Sequence, residues 1–342
     1  PQVFVLATEG FPSETWTARG SFVTVRGVRQ ADRQTGTEIS PEAKARFEAA
    51  EGRALLVQQG DRLVYESYSA DLSANDRLNS FSLVKSLVGA LVVRAVADGK
   101  LSLDDPLSTH LGADAPNATI GQVLAMRSGL VMDGEPAKTV DDAGFSPFGP
   151  LARLHAFGTA AVLSDLRVDP AMAGEFAYQS VNTALLGEVL QRVYDIPLPE
   201  LLSRLIWAPA GAADAEWRVS TRGNVVSAYC CLFARPIDWL RVGRFLMNNG
   251  TPDQPFLPQR MWQDFLLPEL SPEVRRQGAY GWHIRHDVLD RDGASVQGPF
   301  AYFMGHNGQI VYLLPEQDTV VVRFGGRMQL LHSTLYDLLP VD

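Results

Sequence analysis

Two cysteines and four lysines are all that this 342-residue chain holds of those residue types, and each scarcity narrows what it can be. The cysteines are the neighbours Cys230 and Cys231, which cannot cross-link distant parts of the chain and lack the paired spacing of a zinc site. They read as small buried hydrophobes, and the redox compartment stays open. Thirty basic side chains face thirty-nine acidic ones, a formal net charge of -9, so nucleic acid would be repelled at long range, with no basic patch to reverse the sign. No segment approaches the ~20 unbroken apolar residues of a membrane span. The chain opens on Pro1, so a leader would already be missing, and periplasm and cytoplasm both stay open. Also absent are a Gly-x-Ser-x-Gly elbow, a phosphate loop, a His-Glu-x-x-His zinc motif, internal repeats and low-complexity tracts.

What is present is an ordinary globular composition, 46% hydrophobic and 20% charged, enough for two domain-sized units or one core with a large insertion. Residues 54–59 (ALLVQQ) and 62–68 (RLVYESY) are β-prone runs joined at Gly60-Asp61, which predicts a hairpin. FAYFMG, QIVYLLP and TVVVRFG, broken by His306-Asn307-Gly308 and by Pro315 to Asp318, predict an antiparallel meander, followed by a closing helix over 328–339. Between these ends the pattern is helical: in the run FSLVKSLVGALVVRAVADGK (81–100), stopping at Gly99, and around 119–127, 180–195, 198–206 and 236–248. The expected fold class is therefore α+β, an antiparallel β-sheet flanked by helices with a largely helical inserted domain. Residues 1–105 and 270–342 would form the sheet domain and 106–269 the helical one, with a cleft at their junction.

Ser82 and Lys85 open the most apolar helix, and a spacing of three puts both on one helix face. An amine held in apolar surroundings carries a neutral fraction near pH 7 and can take a proton from a serine hydroxyl. The helix start also offers backbone N–H groups and the positive end of a dipole to a developing oxyanion. The residues alone leave a second reading, Ser82 as an N-cap and Lys85 as a snorkelling surface residue. Against it stands composition: with four lysines and twenty-six arginines, one lysine still falls inside this helix.

FSLVKS with LVVRAVADGKLSLDDPLSTHLG, then TIGQVLAMRSGL, GEFAYQSVNTALLGEVL and GHNGQIVYLLPEQDTVVVRFG, together resemble the superfamily of class C serine β-lactamases, D-alanyl-D-alanine peptidases and esterases. The likeness runs in order from about residue 54 to 325, and Tyr-x-Ser followed by Val-Asn-Thr is most similar to the 6-aminohexanoate-dimer hydrolase branch. The resemblance implies a β-lactamase/transpeptidase-like fold, with Ser82 as the acylated nucleophile, Lys85 as its base and Tyr178 as the proton shuttle. Ser180 stands where many members have asparagine. His306, Asn307 and Gly308 stand at the Lys-Thr-Gly position, and the Gln309 N–H matches a second oxyanion donor beside that of Ser82. Taken alone, Tyr178 beside Phe176 also reads as core, and His306-Asn307-Gly308 as a plain turn.

The expectation is a serine hydrolase working through an acyl-enzyme on small esters or linear amides, needing no metal and no organic cofactor. Its partner would be a small-molecule substrate, with no nucleic acid and no membrane span. A β-lactamase or D-alanyl-D-alanine carboxypeptidase is the alternative within the class. Outside it stands a recognition module that binds penicillin or peptide without turnover.

Overall fold

The computed structural model describes residues 21–27, 39–132, 135–136, 150–220, 225–289, 298–328 and 338. The closing helix expected over 328–339 lies almost wholly outside them. Contacts divide the chain into two compact units: Pro1–Val25 with Val84–Leu202 and Glu216–Leu232, and Arg26–Leu83 with Ser203–Ala215 and Phe233–Asp342.

The first unit is largely helical. Helix α1 (Leu83–Ala97), which enters it from Val84, carries apolar side chains on nearly every face, and Leu87, Val88, Leu91, Val92 and Ala95 are all fully buried. A helix without a polar face cannot lie at a surface, so its sequence dictates its central position. It stops because Gly99 adopts φ 66° and Lys100 N–H reaches back to Ala95 O, the closing bond of a left-handed C-terminal cap. Helix α2 (Ser180–Tyr194) packs on the short helices Leu107–Leu111 and Ile120–Leu124. The latter starts at a capping box in which Thr119 and Gln122 exchange side-chain to backbone bonds. Three short strands, Leu130–Met132, Glu135–Pro136 and Leu166–Val168, form a small antiparallel sheet, and helices Pro150–Phe157, Ala160–Leu163 and Leu198–Leu202 also belong to this unit.

The second unit is built on a seven-stranded sheet. In chain order its strands are β1 (Gly52–Gln59), β2 (Arg62–Tyr68), β3 (Ala279–Gly281), β4 (Ile284–Val288), β5 (Pro299–Gly305), β6 (Gln309–Leu314) and β7 (Thr319–Gly325). They lie in the order β3-β4-β5-β6-β7-β1-β2, every neighbouring pair antiparallel. The hairpin and the meander predicted from sequence meet where β7 pairs with β1. Hairpin β3-β4 was not legible, because Arg285 and Asp287 interrupt its apolar run.

The central strands read as unbroken apolar runs, QIVYLL and TVVV, because both faces of the sheet are covered. Ile310, Tyr312, Leu314 and Val321 turn to one core with Phe47, Leu55, Val57, Phe300 and Tyr302. On the other face lies helix α3 (Pro236–Met247), a segment the sequence pattern had grouped with the helical part. There a side chain on Gly243 would come within 2.9 Å of Val311, 3.0 Å of Val320 and 3.1 Å of Leu313. Among the described residues no helix is long and apolar enough to cross a membrane, and no group of three or more His, Cys, Asp or Glu could hold a metal ion. The fold is α+β, as the sequence implied.

Candidate active site

Each unit carries part of the expected constellation. Lys85, on α1, is 2% exposed. Its Nζ donates to Tyr229 O at 2.9 Å and lies 4.9 Å from the centre of the Tyr178 ring and 5.9 Å from that of Tyr229. Two aromatic faces and a carbonyl thus enclose the amine, which removes the snorkelling reading.

The segment carrying Tyr178 is pinned from both sides by a turn of the chain fifty residues away. Ala177 N–H donates to Met126 O at 2.8 Å, Gln179 N–H to Met126 Sδ at 3.4 Å, and Gln179 Nε2 to Leu130 O at 3.1 Å. Met126 takes φ 57° and Gly129 φ 67° to make that approach. Ser180 is the buried first residue of α2, and two residues on Asn182 receives the Ser128 hydroxyl at 2.7 Å. The main chain on both sides of Tyr178 is therefore fixed, and its ring is half-buried rather than part of the core.

A further pair behind Lys85 was invisible in the sequence. The Tyr229 hydroxyl and His155 Nδ1 share a hydrogen bond of 3.1 Å, both side chains being buried, and the buried Arg218 guanidinium donates to His155 O at 3.1 Å. Burial first, then the charges of Arg218 and Lys85, hold His155 well below the usual histidine range, so its imidazole stays neutral at pH 7. Trp217 Nε1 donates to Ser227 O at 2.9 Å and Cys230 O at 3.0 Å, fixing the main chain on both sides of Tyr229. Cys230 and Cys231 are both buried, as their reading from sequence implied, with their two sulfur atoms side by side.

The second unit holds Ser82 and the His306–Gln309 segment. Ser82 occupies the turn just before α1, after Ser80 and Phe81. Phe81 adopts φ 45°, a left-handed conformation costing a non-glycine residue about 1–3 kcal/mol. Phe81 N–H to Asn79 Oδ1 at 2.9 Å and Ser80 hydroxyl to Phe81 O at 3.1 Å hold it there. The Phe81 ring also meets His306 edge-on, centroids 5.5 Å apart. Strand β5 ends at Gly305 directly against this turn: a side chain on Gly305 would collide with Ser80 O and come within 3.2 Å of Ser82 N.

His306–Gly308 then forms a tight turn with Asn307 at φ 60°. His306 is exposed by area yet lies against protein closely enough that desolvation lowers its pKa, leaving a neutral ring at pH 7. Gly308 and Gln309 are buried. The Gln309 N–H closes the turn on His306 O, so an oxyanion could use it only by exchanging that bond.

A family profile described as Beta-lactamase matches residues 42–335. A 6-aminohexanoate-dimer hydrolase of Paenarthrobacter ureafaciens is 26% identical over 308 residues, covering 84% of this chain and 75% of that protein. Among solved structures, one from Bacillus anthracis assigned as a 6-aminohexanoate-dimer hydrolase superimposes with a TM-score of 0.76 at 16% identity, covering 97% of this chain and 94% of that one. A class C beta lactamase from Rhodobacter sphaeroides gives a TM-score of 0.60 at 16% identity over 87% of this chain and 98% of the other. With the profile spanning well over half of its length, the chain belongs to the beta-lactamase family.

Proposed function

We propose that this chain is a serine hydrolase that cleaves small esters or linear amides through an acyl-enzyme on Ser82. The observation that carries the reading is Lys85: one of only four lysines, buried, with its amine on a carbonyl and between two tyrosine rings, one turn along the helix from a serine. A buried amine so enclosed has no surface role, and the Ser-x-x-Lys spacing at a helix start offers the hydroxyl and the amine that nucleophilic catalysis needs.

In this mechanism the Ser82 hydroxyl attacks the substrate carbonyl while Lys85 takes its proton. The tetrahedral oxyanion is received by the Ser82 N–H and by a second N–H from the Gly305–Gln309 segment, which lies against Ser82. Tyr178 hands a proton to the departing alcohol or amine, leaving the acyl group on Ser82. Water, activated by the same groups, then attacks the acyl carbonyl and releases the acid.

Two substitutions shape the substrate class. Ser180 offers one short donor where the family often has an amide, and His306, neutral at pH 7, supplies no fixed charge to a β-lactam carboxylate. Nitrophenyl butyrate should therefore be hydrolysed with kcat/KM at least ~10-fold above a chromogenic cephalosporin, about 1.4 kcal/mol in transition-state stabilisation. Equal or reversed values would favour a true β-lactamase; a burst of one product per chain without turnover would favour a recognition module.

A further inference from the structure

Arg323 is the one charged residue in the apolar run of β7, and it is fully buried. Its Nη1 donates to Asn307 O at 3.1 Å and to Gly308 O at 2.6 Å; its Nη2 donates to Ala50 O and Arg327 O, both at 3.1 Å. Nothing about filling space in a sheet core calls for a guanidinium, and burying one is costly. What a guanidinium adds is a rigid fork of donors that can hold several carbonyls in fixed relation.

Two of the four carbonyls it holds, those of Asn307 and Gly308, belong to the turn beside the nucleophile. Because a peptide unit is planar, fixing the Asn307 and Gly308 carbonyls also fixes the N–H vectors of Gly308 and Gln309. The third carbonyl of the turn, that of His306, is taken by the Gln309 N–H. Gln309 ties the far side, its amide exchanging bonds of 2.8 and 2.9 Å with the Gly325 backbone. Gly325 is itself required, since a side chain there would strike the Arg323 guanidinium, within 2.7 Å of Cζ. The turn so braced begins at Gly305, against Ser80 O and Ser82 N, and carries the His306 ring on Phe81.

We propose that Arg323 is a positioning residue of the acyl-transfer site: it touches no reacting atom, and its fork holds the His306–Gly308 turn so that Gly305 and His306 stay registered against Phe81 and Ser82. The inference rests on the reading of Ser82 as the acylated nucleophile. A turn that drifts by a few tenths of an ångström leaves substrate binding intact but weakens the donors facing the oxyanion, so the loss falls on kcat.

The test uses the full chain with Arg323→Lys, which keeps the charge but loses the fork, and Gly325→Ala, which displaces the guanidinium without removing it. Active-site titration with a fluorophosphonate gives the competent fraction of each. Nitrophenyl butyrate gives kcat and KM per competent site, and infrared difference spectra of a slowly hydrolysed ester give the acyl carbonyl stretch. The expected result is a ~10- to 100-fold lower kcat per titrated site with KM within twofold, and an acyl carbonyl band moved to higher frequency or split. A full kcat per titrated site with an unmoved band, in whichever variant folds, would overturn the proposal and leave Arg323 a purely structural residue. Absence of any acyl adduct on Ser82 in the unaltered chain would instead remove the nucleophile reading, and this inference with it.

Discussion

Lys85, buried between two tyrosine rings, is the residue on which the proposed function is most directly tested. In the proposed mechanism Lys85→Ala removes the base, and Lys85→Arg leaves a permanently charged guanidinium that cannot accept a proton, so both should lower ester turnover by ~100-fold or more in a folded chain. Tyr178→Phe should do the same by removing the proton donor. Steady-state kinetics alongside thermal unfolding checks all three, and near-normal activity in Lys85→Arg would reduce Lys85 to an electrostatic role. A fluorophosphonate should label Ser82 alone, mapped by peptide mass; an adduct on Ser86 or Ser128 instead would sink the assignment. At this scale the Ser82–Lys85 spacing was visible in the sequence because it is local, whereas Tyr178 was pointed to only by the family resemblance. Tyr229, His155 and Arg323 were not visible, since each bonds to residues 15 to 273 positions away, through contacts no local pattern records.

Among the elements, the turn before α1 and the end of β5 depend on each other. Gly305 has φ -117°, which any residue tolerates, so its requirement for glycine is a matter of space and not of backbone freedom. In Gly305→Ala the new methyl would meet main-chain atoms of Ser80 and Ser82, which cannot swing aside as a side-chain end can. We expect a loss of about 1–3 kcal/mol in unfolding free energy and a fall in kcat larger than that of a matched surface Gly→Ala variant. Chemical denaturation and ester kinetics measure the two; an unchanged kcat would mean that β5 does not set the position of Ser82. Gly243 on α3 differs, because its neighbours are the methyl groups of Val311, Val320 and Leu313, which can shift a little. Gly243→Ala should cost less than Gly305→Ala and leave kcat unchanged.

Over the whole molecule, buried neutral histidines make stability depend on pH. Burial, then the charge of Arg275, pushes His286 down to about 3, against an ordinary value of 6.5. The unfolded chain binds a proton there that the fold excludes, so the stability present above pH 6.5 is lost as pH falls toward 3, by about 1.4 kcal/mol per pH unit. His155, depressed for the same reason, acts in the same direction. At pH 5 the His286 share is about 2 kcal/mol. The urea midpoint should fall between pH 7 and pH 5, and less steeply in His286→Asn; identical slopes in the two proteins would show that His286 does not carry the effect.

The sequence by itself determined the α+β class, the presence of α1 and its stop at Gly99, and both strand systems, because each is encoded by periodicity or turn residues within a short stretch. Helix α1 had to be buried because it has no polar face, and the runs of β6 and β7 had to lie between two layers because neither alternates. Only the tertiary structure decided which far segments meet these elements. It brought the Tyr229 carbonyl to Lys85, bound Met126 to the flanks of Tyr178, laid α3 on the sheet, and aimed Arg323 at the turn after Gly305. Such contacts satisfy buried donors and carbonyls across long stretches of chain, and the partner of a buried polar group is fixed by packing in three dimensions, not by its neighbours in sequence.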